Sequence, residues 1–413
     1  MKRKLFGSFT FLIILFLMLA IFSGCSDETT PGFYSPTSPE GDAPQIESVD
    51  PPEEAIAAVT PIVIKGQNFS QDTSQVKVYF NNQYGTIVSG TPTELLVIAP
   101  NIEGEVDIRI SVNEAVEFSN SYNYNLELAA KDIYPEAGDE NNIPVSIVVD
   151  EFENIYSSNS SLGIVKIAPD GSSELYSTKA GETFFRSLKL GSDGTLYAAR
   201  GLRAIFSIPP GGGVKNSPYY VFASNSVKIS KIEFDPTGNL WAGGDNDSLF
   251  RIDSEESHTS FPFEYEVAAM RSFVENGVTY LYVAAQKDLA TTIMRIPILE
   301  DGTLGSPEEY FDFSGNYGEE YEVSDIAFAV DGEMILATDM PKPIVYVKPD
   351  KSYGLLYSHI LLESPALSLA WGTEQYLYYV REEITDESGE TAVPQSIVKL
   401  NLLKDGAPNY TGN

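Results

Sequence analysis

The sequence predicts an all-β protein in which a β-sandwich is followed by a six-bladed β-propeller. Runs of β-branched and aromatic residues alternate with Gly, Pro, Asn and Asp, and no apolar pattern of helical period persists for a dozen residues. The length of 413 residues exceeds that of one ordinary domain. From about residue 130 onward, one strand pattern recurs six times, which is typical of a repeat architecture.

Residues 1–25 have the layout of an export signal. Three basic residues precede an apolar run over residues 5–22, and Ser23-Gly24-Cys25 follows at once. An uncleaved membrane helix is the alternative, but small residues leading to a cysteine favour cleavage. The stretch 22–25 resembles a bacterial lipoprotein signal, which implies lipidation of Cys25. Residues 26–28 (SDE) resemble the acidic tag of some Bacteroidota lipoproteins. This implies a lipid-anchored outer-membrane protein on the cell surface or the periplasmic face.

The composition is strongly acidic. The chain has 59 acidic and 26 basic residues, for a net charge of -33, and loss of the signal would leave 23 basic residues and a net charge of -36. Such a field repels nucleic acid and anionic lipid headgroups, so neutral or cationic partners or divalent ions are expected. Solubility alone is the other explanation. Cys25 is the only cysteine, so its lipidation would leave the mature chain without a thiol or a disulfide.

A disordered tether is predicted over residues 26–43, and a β-sandwich is predicted over residues 44–127. The tether is rich in Ser, Thr and Pro and has hardly an apolar pair to bury. The sandwich contains seven short strand patterns. They cover residues 45–49, 61–65, 76–80, 85–88, 94–98, 105–111 and 122–126.

The sandwich segment resembles the IPT/TIG family of immunoglobulin-like domains. Residues 44–51 (PQIESVDP) open the match, and residues 62–69 (IVIKGQNF) are its most recognisable part. We expect Gly66 at a crowded backbone position and Phe69 as a plug of the sandwich core.

Residues 128–413 contain the repeats. The recurring strand pattern covers residues 164–167, 205–208, 249–252, 293–296, 344–347 and 397–400, at steps of 41 to 53 residues. A second strand pattern keeps the same phase upstream of each copy. Two strand signals in phase at this period predict one four-stranded sheet per repeat, and six sheets predict a six-bladed propeller.

The clearest copy, residues 232–241 (IEFDPTGNLW), resembles an NHL repeat. The residues after position 400 are too few for the outer strand of a sixth blade. Because an unpaired edge is a liability, we expect residues near 126–133 to supply that strand and close the ring.

Four charged residues are the candidate ligand-binding site. Aligned repeats place Lys231, Arg271 and Asp325 at the start of the innermost strand of their blades, with Arg186 one step before an equivalent start. We expect these side chains to line one mouth of the channel and to suit an anionic or polyhydroxylated ligand. Structural ion pairs that join blades are the alternative.

Catalytic residues, metal ligands and cofactors are not predicted. The chain has two histidines and no Gly-x-Ser-x-Gly motif. His258 is expected in a solvated loop. Calcium-dependent propellers of the gluconolactonase and regucalcin type open with Glu-Gly-Pro-x-Trp, which is missing here.

We therefore expect a non-enzymatic envelope lipoprotein whose propeller binds a glycan or a protein while the sandwich acts as a stalk. The membrane is a partner through the lipid anchor, and an outer-membrane transporter complex is a further expected partner. The alternative is a calcium-dependent hydrolase or lyase.

Overall fold

The computed structural model describes residues 41–113, 115–135, 142–178, 184–213 and 217–410. The predicted signal with Cys25 and residues 26–40 of the predicted tether lie outside these ranges. Within them, none of the helices has the length and apolar character needed to cross a membrane. The structure confirms the predicted fold class, an all-β chain with an immunoglobulin-like sandwich followed by a six-bladed propeller.

The sandwich has nine strands in two sheets. They are β1 (Gln45–Asp50), β2 (Glu54–Ala57), β3 (Pro61–Gln67), β4 (Val76–Phe80), β5 (Gln83–Tyr84), β6 (Thr86–Thr91), β7 (Glu94–Ile98), β8 (Gly104–Val112) and β9 (Tyr122–Leu128). The sheet orders are β1-β3-β7-β6 and β2-β9-β8-β4-β5, and only the β2–β9 pair is parallel. All seven predicted strands are present. The prediction missed β2 and β5, because strands of four and two residues are too short to show an alternating pattern.

Alternating apolar residues of both sheets fill the core of the sandwich. Ile62 and Ile64 of β3 are fully buried, and Phe69 is buried in the same cluster, which confirms its role as a plug. A Cβ atom on Gly66 would lie 1.8 Å from the carbonyl oxygen of Gln45. The close approach of these two backbones explains why glycine stands at this position.

The propeller has six four-stranded sheets, which we number as blades 1 to 6. Blades 1 and 2 contain β11 (Pro144–Val149), β12 (Ile155–Asn159), β13 (Gly163–Ile167), β14 (Ser173–Thr178), β15 (Ser187–Leu190), β16 (Leu196–Ala199), β17 (Ala204–Ile208) and β18 (Ser217–Val221). Blades 3 and 4 contain β19 (Lys231–Phe234), β20 (Leu240–Gly243), β21 (Ser248–Ile252), β22 (His258–Pro262), β23 (Glu266–Glu275), β24 (Val278–Lys287), β25 (Ala290–Pro297) and β26 (Glu308–Asp312).

Blades 5 and 6 contain the remaining strands together with one strand from before blade 1. They are β27 (Val323–Phe328), β28 (Met334–Thr338), β29 (Ile344–Val347), β30 (Tyr353–Leu355), β31 (Ala366–Trp371), β32 (Tyr376–Arg381), β35 (Ser396–Asn401) and β10 (Ala130–Tyr134). A short helix, α1 (Phe313–Tyr317), follows β26, and a hairpin of β33 (Ile384–Thr385) and β34 (Thr391–Val393) follows β32. The innermost strands of successive blades contact one another in a closed ring.

The strand β10 closes the propeller. It pairs antiparallel with β35, from Ala130 opposite Leu400 to Tyr134 opposite Ile397, and so becomes the outer strand of blade 6. This confirms the predicted closure. The sandwich contacts the same region, since Asn401 Nδ2 donates to Glu127 Oε2 at 2.7 Å.

Apolar and aromatic side chains fill the spaces between blades. Trp241 of blade 3 is fully buried and packs in one cluster with Leu281 of blade 4. Trp371 of blade 6 is buried in another cluster with Ala327 of blade 5. Both tryptophans therefore pack between blades, as predicted.

Candidate functional site

The channel along the propeller axis has two mouths. We call the upper mouth the one at which the innermost strands begin, and the lower mouth the one at which they end. A small enclosed hollow of about 20 Å³ lies near the upper mouth, and a cavity of about 940 Å³ extends from the axis to the lower mouth. We call them the upper hollow and the lower cavity. The upper hollow has room for about one water molecule.

Three of the four predicted site residues, Arg186, Lys231 and Asp325, line the upper hollow. The Lys231 ammonium donates to the carbonyl oxygen of Ser324 at 2.6 Å. Burial lowers the pKa of Lys231, Asp325 opposes this shift, and Lys189 and Arg186 add to it. Arg186 is exposed at the edge of the hollow.

Asp325 joins two blades. Its carboxylate accepts hydrogen bonds from the Leu369 backbone N–H at 2.8 Å and from the Ser368 hydroxyl at 3.1 Å. The Ser368 hydroxyl in turn accepts from the backbone N–H of Ile147 at 3.3 Å. Asp325 therefore holds blade 5 to blade 6, which is the structural role considered as an alternative for this residue.

The predicted position of Arg271 was wrong. By strand pairing, Ala269 occupies the upper level of blade 4, and Arg271 lies two residues further along β23. The sequence alignment failed there because β23 and β24 each have ten residues, so the hairpin that they form is longer than the inner hairpins of the other blades. Arg271 lines the lower cavity instead.

Two residues below the upper level, three charged residues occupy equivalent positions on the innermost strands of blades 2, 3 and 4. Lys189 of blade 2 forms an ion pair with Glu233 of blade 3, and Arg271 Nη1 of blade 4 lies 3.4 Å from the other oxygen of Glu233. We call these residues the axial triad. Glu233 is fully buried, while Lys189 keeps 19% of its side chain exposed and lines both the lower cavity and the upper hollow. Two cations therefore share one carboxylate at the inner end of the lower cavity.

Residues 405–410, which we call the strap, cross the lower mouth. Ala407 N–H donates to the carbonyl oxygen of Phe328 in blade 5 at 2.8 Å. Asn409 Oδ1 accepts from Arg271 Nη2 in blade 4 at 2.7 Å, and Asn409 Nδ2 donates to Trp371 O in blade 6 at 3.3 Å. Tyr410 packs against the core of blade 3. The strap thus covers the axial side of the lower cavity and leaves the side of blades 1 and 2 open.

The open side of the lower cavity combines aromatic and polar groups. Phe152, on the turn after β11, is 71% exposed, and Leu175 and Tyr176 of β14 also line the cavity. The Asp150 carboxylate accepts hydrogen bonds from the backbone N–H of Phe152 at 2.9 Å and from the Tyr156 hydroxyl at 3.2 Å. Flat apolar faces beside satisfied polar groups are typical of sites for amphipathic small ligands.

No group of three or more His, Cys, Asp or Glu side chains among the described residues is arranged to hold a metal ion. His258 lies on β22 rather than in the predicted loop, and its exposed ring contacts Tyr220. His359 Nε2 lies 3.0 Å from the carbonyl oxygen of Ala58 and so bridges the propeller and the sandwich. Neither histidine is among the residues that line the lower cavity.

The sequence analysis missed Lys189, Glu233 and Asn409. Lys189 and Glu233 each stand two residues after an upper-level residue, so a second charged position in each aligned repeat was a usable signal. Asn409 carried no signal, because only the fold brings the strap to the axis.

Comparisons with known proteins support the fold. Residues 44–128 match the IPT/TIG domain family. This TIG domain corresponds to the sandwich. No curated protein matches the chain.

Several solved structures resemble the chain at low sequence identity. An auxiliary nutrient binding protein from Bacteroides thetaiotaomicron is 13% identical with a TM-score of 0.51, over 87% of this chain and 97% of that one. The calcium-binding protein regucalcin from Agrobacterium tumefaciens is 14% identical with a TM-score of 0.54, over 67% and 96%. A gluconolactonase from Xanthomonas campestris is 12% identical with a TM-score of 0.51, over 66% and 89%. At these identities the likeness concerns the fold.

Proposed function

We propose that the protein is a cell-envelope lipoprotein that binds a glycan without converting it, with the lower cavity as the recognition site and the TIG domain as a stalk. The observation that carries this proposal is the lower cavity itself. Its volume of about 940 Å³ is in the range of sites for ligands of a few sugar rings. Its open side offers Phe152 and Tyr176, whose rings can stack on the C–H face of a sugar.

The surroundings of Glu233 and Asp325, two carboxylates on the innermost strands, favour binding over catalysis. A general acid or base must reach the proton that it transfers. Glu233 is buried between two cations, and Asp325 is occupied by hydrogen bonds to blade 6. Both carboxylates therefore stabilise the hub. The binding role also agrees with the nutrient-binding description of the Bacteroides thetaiotaomicron protein that shares this fold.

The anchor and the location belong to the same proposal. The basic, apolar and small-residue stretches that end at Cys25 favour lipidation, and the acidic residues Asp27 and Glu28 that follow Ser26 favour the outer membrane. A ligand captured at the cell envelope must then be passed on, so association with an outer-membrane transporter complex is part of the proposal. In a second form of the same proposal, the ligand is a protein instead of a glycan.

A calcium-dependent hydrolase or lyase is the second candidate, because regucalcin and a gluconolactonase share the propeller fold. Titration calorimetry of the full chain in detergent with a panel of oligosaccharides, followed by product analysis, separates the two. The binding proposal predicts saturable heats, no product and no effect of a chelator. Turnover that a chelator abolishes and calcium restores would overturn it.

A pair of aromatic substitutions locates the site. Phe152→Ala should weaken glycan binding severalfold, because a stacking face is lost at the cavity. Phe118→Ala is the matched control, since Phe118 is 48% exposed on the TIG domain. If Phe118→Ala weakens binding and Phe152→Ala does not, the recognition site lies on the TIG domain and the proposed site is wrong.

A further inference from the structure

We infer that the lower cavity selects glycans that carry a carboxylate, and that Lys189 and Arg271 bind this carboxylate at the inner end of the cavity. The inference rests on the proposed function and names the ligand class of the same site. It follows from three features of the molecule, which are the charge of the axial triad, the position of Asn409 and the polarity of the rest of the cavity.

The axial triad has one cation more than it has anions. Glu233 is the only carboxylate of the triad, and its two oxygens face Lys189 and Arg271 separately. Among the described residues, Glu233 is the only ion-pair partner of Lys189. An ammonium group has three donors, so Lys189 keeps donors for a second acceptor. The triad therefore leaves one positive charge beside the cavity in a chain of net charge -33.

The amide oxygen of Asn409 lies where one oxygen of a ligand carboxylate could contact Arg271. Arg271 Nη2 donates to the amide oxygen of Asn409 at 2.7 Å, which is a short charge-assisted contact. The amide is neutral, so this contact satisfies a donor of Arg271 without removing its charge. Asn409 itself is exposed on the strap. A ligand carboxylate beside Asn409 would supply both the hydrogen-bond acceptor and the missing negative charge.

The carboxylates that line the cavity, Asp150, Glu151 and Glu174, all belong to blade 1, at the open side. Asp150 accepts several hydrogen bonds from its own turn, and Glu174 stands opposite Lys166 in the β13–β14 pair. The excess positive charge is thus confined to the inner end, while Phe152 and Tyr176 lie at the open side. An acidic sugar fits this polarity, with its carboxylate toward the axis and a sugar face on the aromatic rings.

The test compares acidic oligosaccharides with their own neutral forms. Oligosaccharides of galacturonate, glucuronate and mannuronate, each paired with its methyl ester, are titrated into the full chain in detergent. We expect at least one acid to bind about tenfold or more tightly than its ester, because a hydrogen-bonded charge is lost on esterification. Inorganic sulfate should compete only weakly, since it lacks the sugar face.

Three variants assign the preference to the triad. Lys189→Gln should bring the affinity of the acid close to that of the ester. Lys228→Gln is the matched control, because it removes the same charge from an exposed ion pair with Asp245, outside the residues that line the cavity. Asn409→Asp places a carboxylate on Arg271 permanently. This variant should keep the fold and also lose the preference, so it tests the inference even if Lys189→Gln is unstable.

The outcomes separate the two proposals. A preference for the acid that Lys189→Gln and Asn409→Asp remove, and that Lys228→Gln keeps, supports the inference. Equal affinity for acid and ester overturns the inference and leaves the proposed function standing, as does binding by neutral glycans alone. Sulfate competing as well as the acidic sugar shows a bare anion site and also overturns it. If no glycan of either set binds, both proposals fail.

Discussion

Arg381 Nη1 donates to Asp132 Oδ1 at 2.8 Å across the joint that closes the propeller. Asp132 lies on β10, from before blade 1, and Arg381 ends β32 of the last blade. Ser396 of β35 donates to the same carboxylate oxygen at 3.0 Å. The ends of the ring are thus held by a charge-assisted contact as well as by the β10–β35 ladder.

Asp132→Ala should lower the free energy of unfolding by about 2 kcal/mol, because it leaves the buried Arg381 guanidinium without its carboxylate. The half-exposed position of Asp132 keeps the loss below that of a fully buried pair. Urea denaturation measures the effect. Lys131→Ala on the same strand is the control, since its exposed pair with Glu103 is worth about 0–1 kcal/mol. Equal losses in the two variants would show that the contact does not hold the joint.

Trp241→Phe should destabilise the chain by about 2 kcal/mol. The Trp241 Nε1–H donates to the buried Asp235 carboxylate at 2.8 Å, and hydrogen bonds to charged groups are the more valuable ones. Trp371→Phe removes a donor to a neutral acceptor, the carbonyl oxygen of Glu374 at 3.1 Å, so the loss of stability should be about 1 kcal/mol. Thermal and urea unfolding of both variants give the comparison. A larger loss in Trp371→Phe would contradict this ranking.

Two carboxylates, Glu266 and Asp339, should destabilise the fold at neutral pH. Burial, Asp245 and Glu322 raise the pKa of Glu266, and burial and the Glu322 charge raise the pKa of Asp339. A carboxyl whose pKa is higher in the folded state binds more protons there than in the unfolded chain. Its contribution to stability therefore increases as the pH falls through the raised pKa toward the ordinary one.

Glu322→Gln tests this pH dependence. It should stabilise the fold at pH 7 by about 0.5 kcal/mol or less and reduce the gain on acidification, because one repelling charge is gone. The amide can still accept the hydrogen bond from Gln286, so the local geometry is kept. Melting curves across acidic and neutral pH are compared with those of Glu319→Gln, which removes an exposed carboxylate from the same loop. A parallel pH profile for the two variants would refute the assignment to Glu322.

Cys25→Ala should abolish lipid attachment and cleavage of the signal. Cys25 is the only cysteine of the chain, so a diacylglyceryl group that carries labelled palmitate has one expected thioether site. Metabolic labelling and the mass of the purified chain measure the outcome. Label in the Cys25→Ala chain, or an unlabelled wild type that keeps residues 1–24, would contradict the lipoprotein proposal. Protease treatment of whole cells then reports on which face the protein stands.

Much of the fold could be predicted because its signals are local. The third strands of the blades, such as β13 and β21, are short runs of buried and half-buried residues that recur at a regular spacing. The missing outer strand was predictable for a similar reason, since an exposed edge after β35 requires a partner. In contrast, counting residues misplaced Arg271 by two positions, because the extra length of the β23–β24 hairpin appears only when the strands are paired.

The positions of most strands and the number of blades were determined by the sequence alone, since each depends on patterns within about fifty residues. The closing strand could be predicted because the residues after position 400 are too few for an outer strand. Only the tertiary structure decided which charged side chains meet. Lys189, Glu233 and Arg271 share one level of the channel because three strands from different blades settle in one register, and Asn409 joins them from more than a hundred residues away. Such contacts depend on packing between blades, which no local pattern encodes.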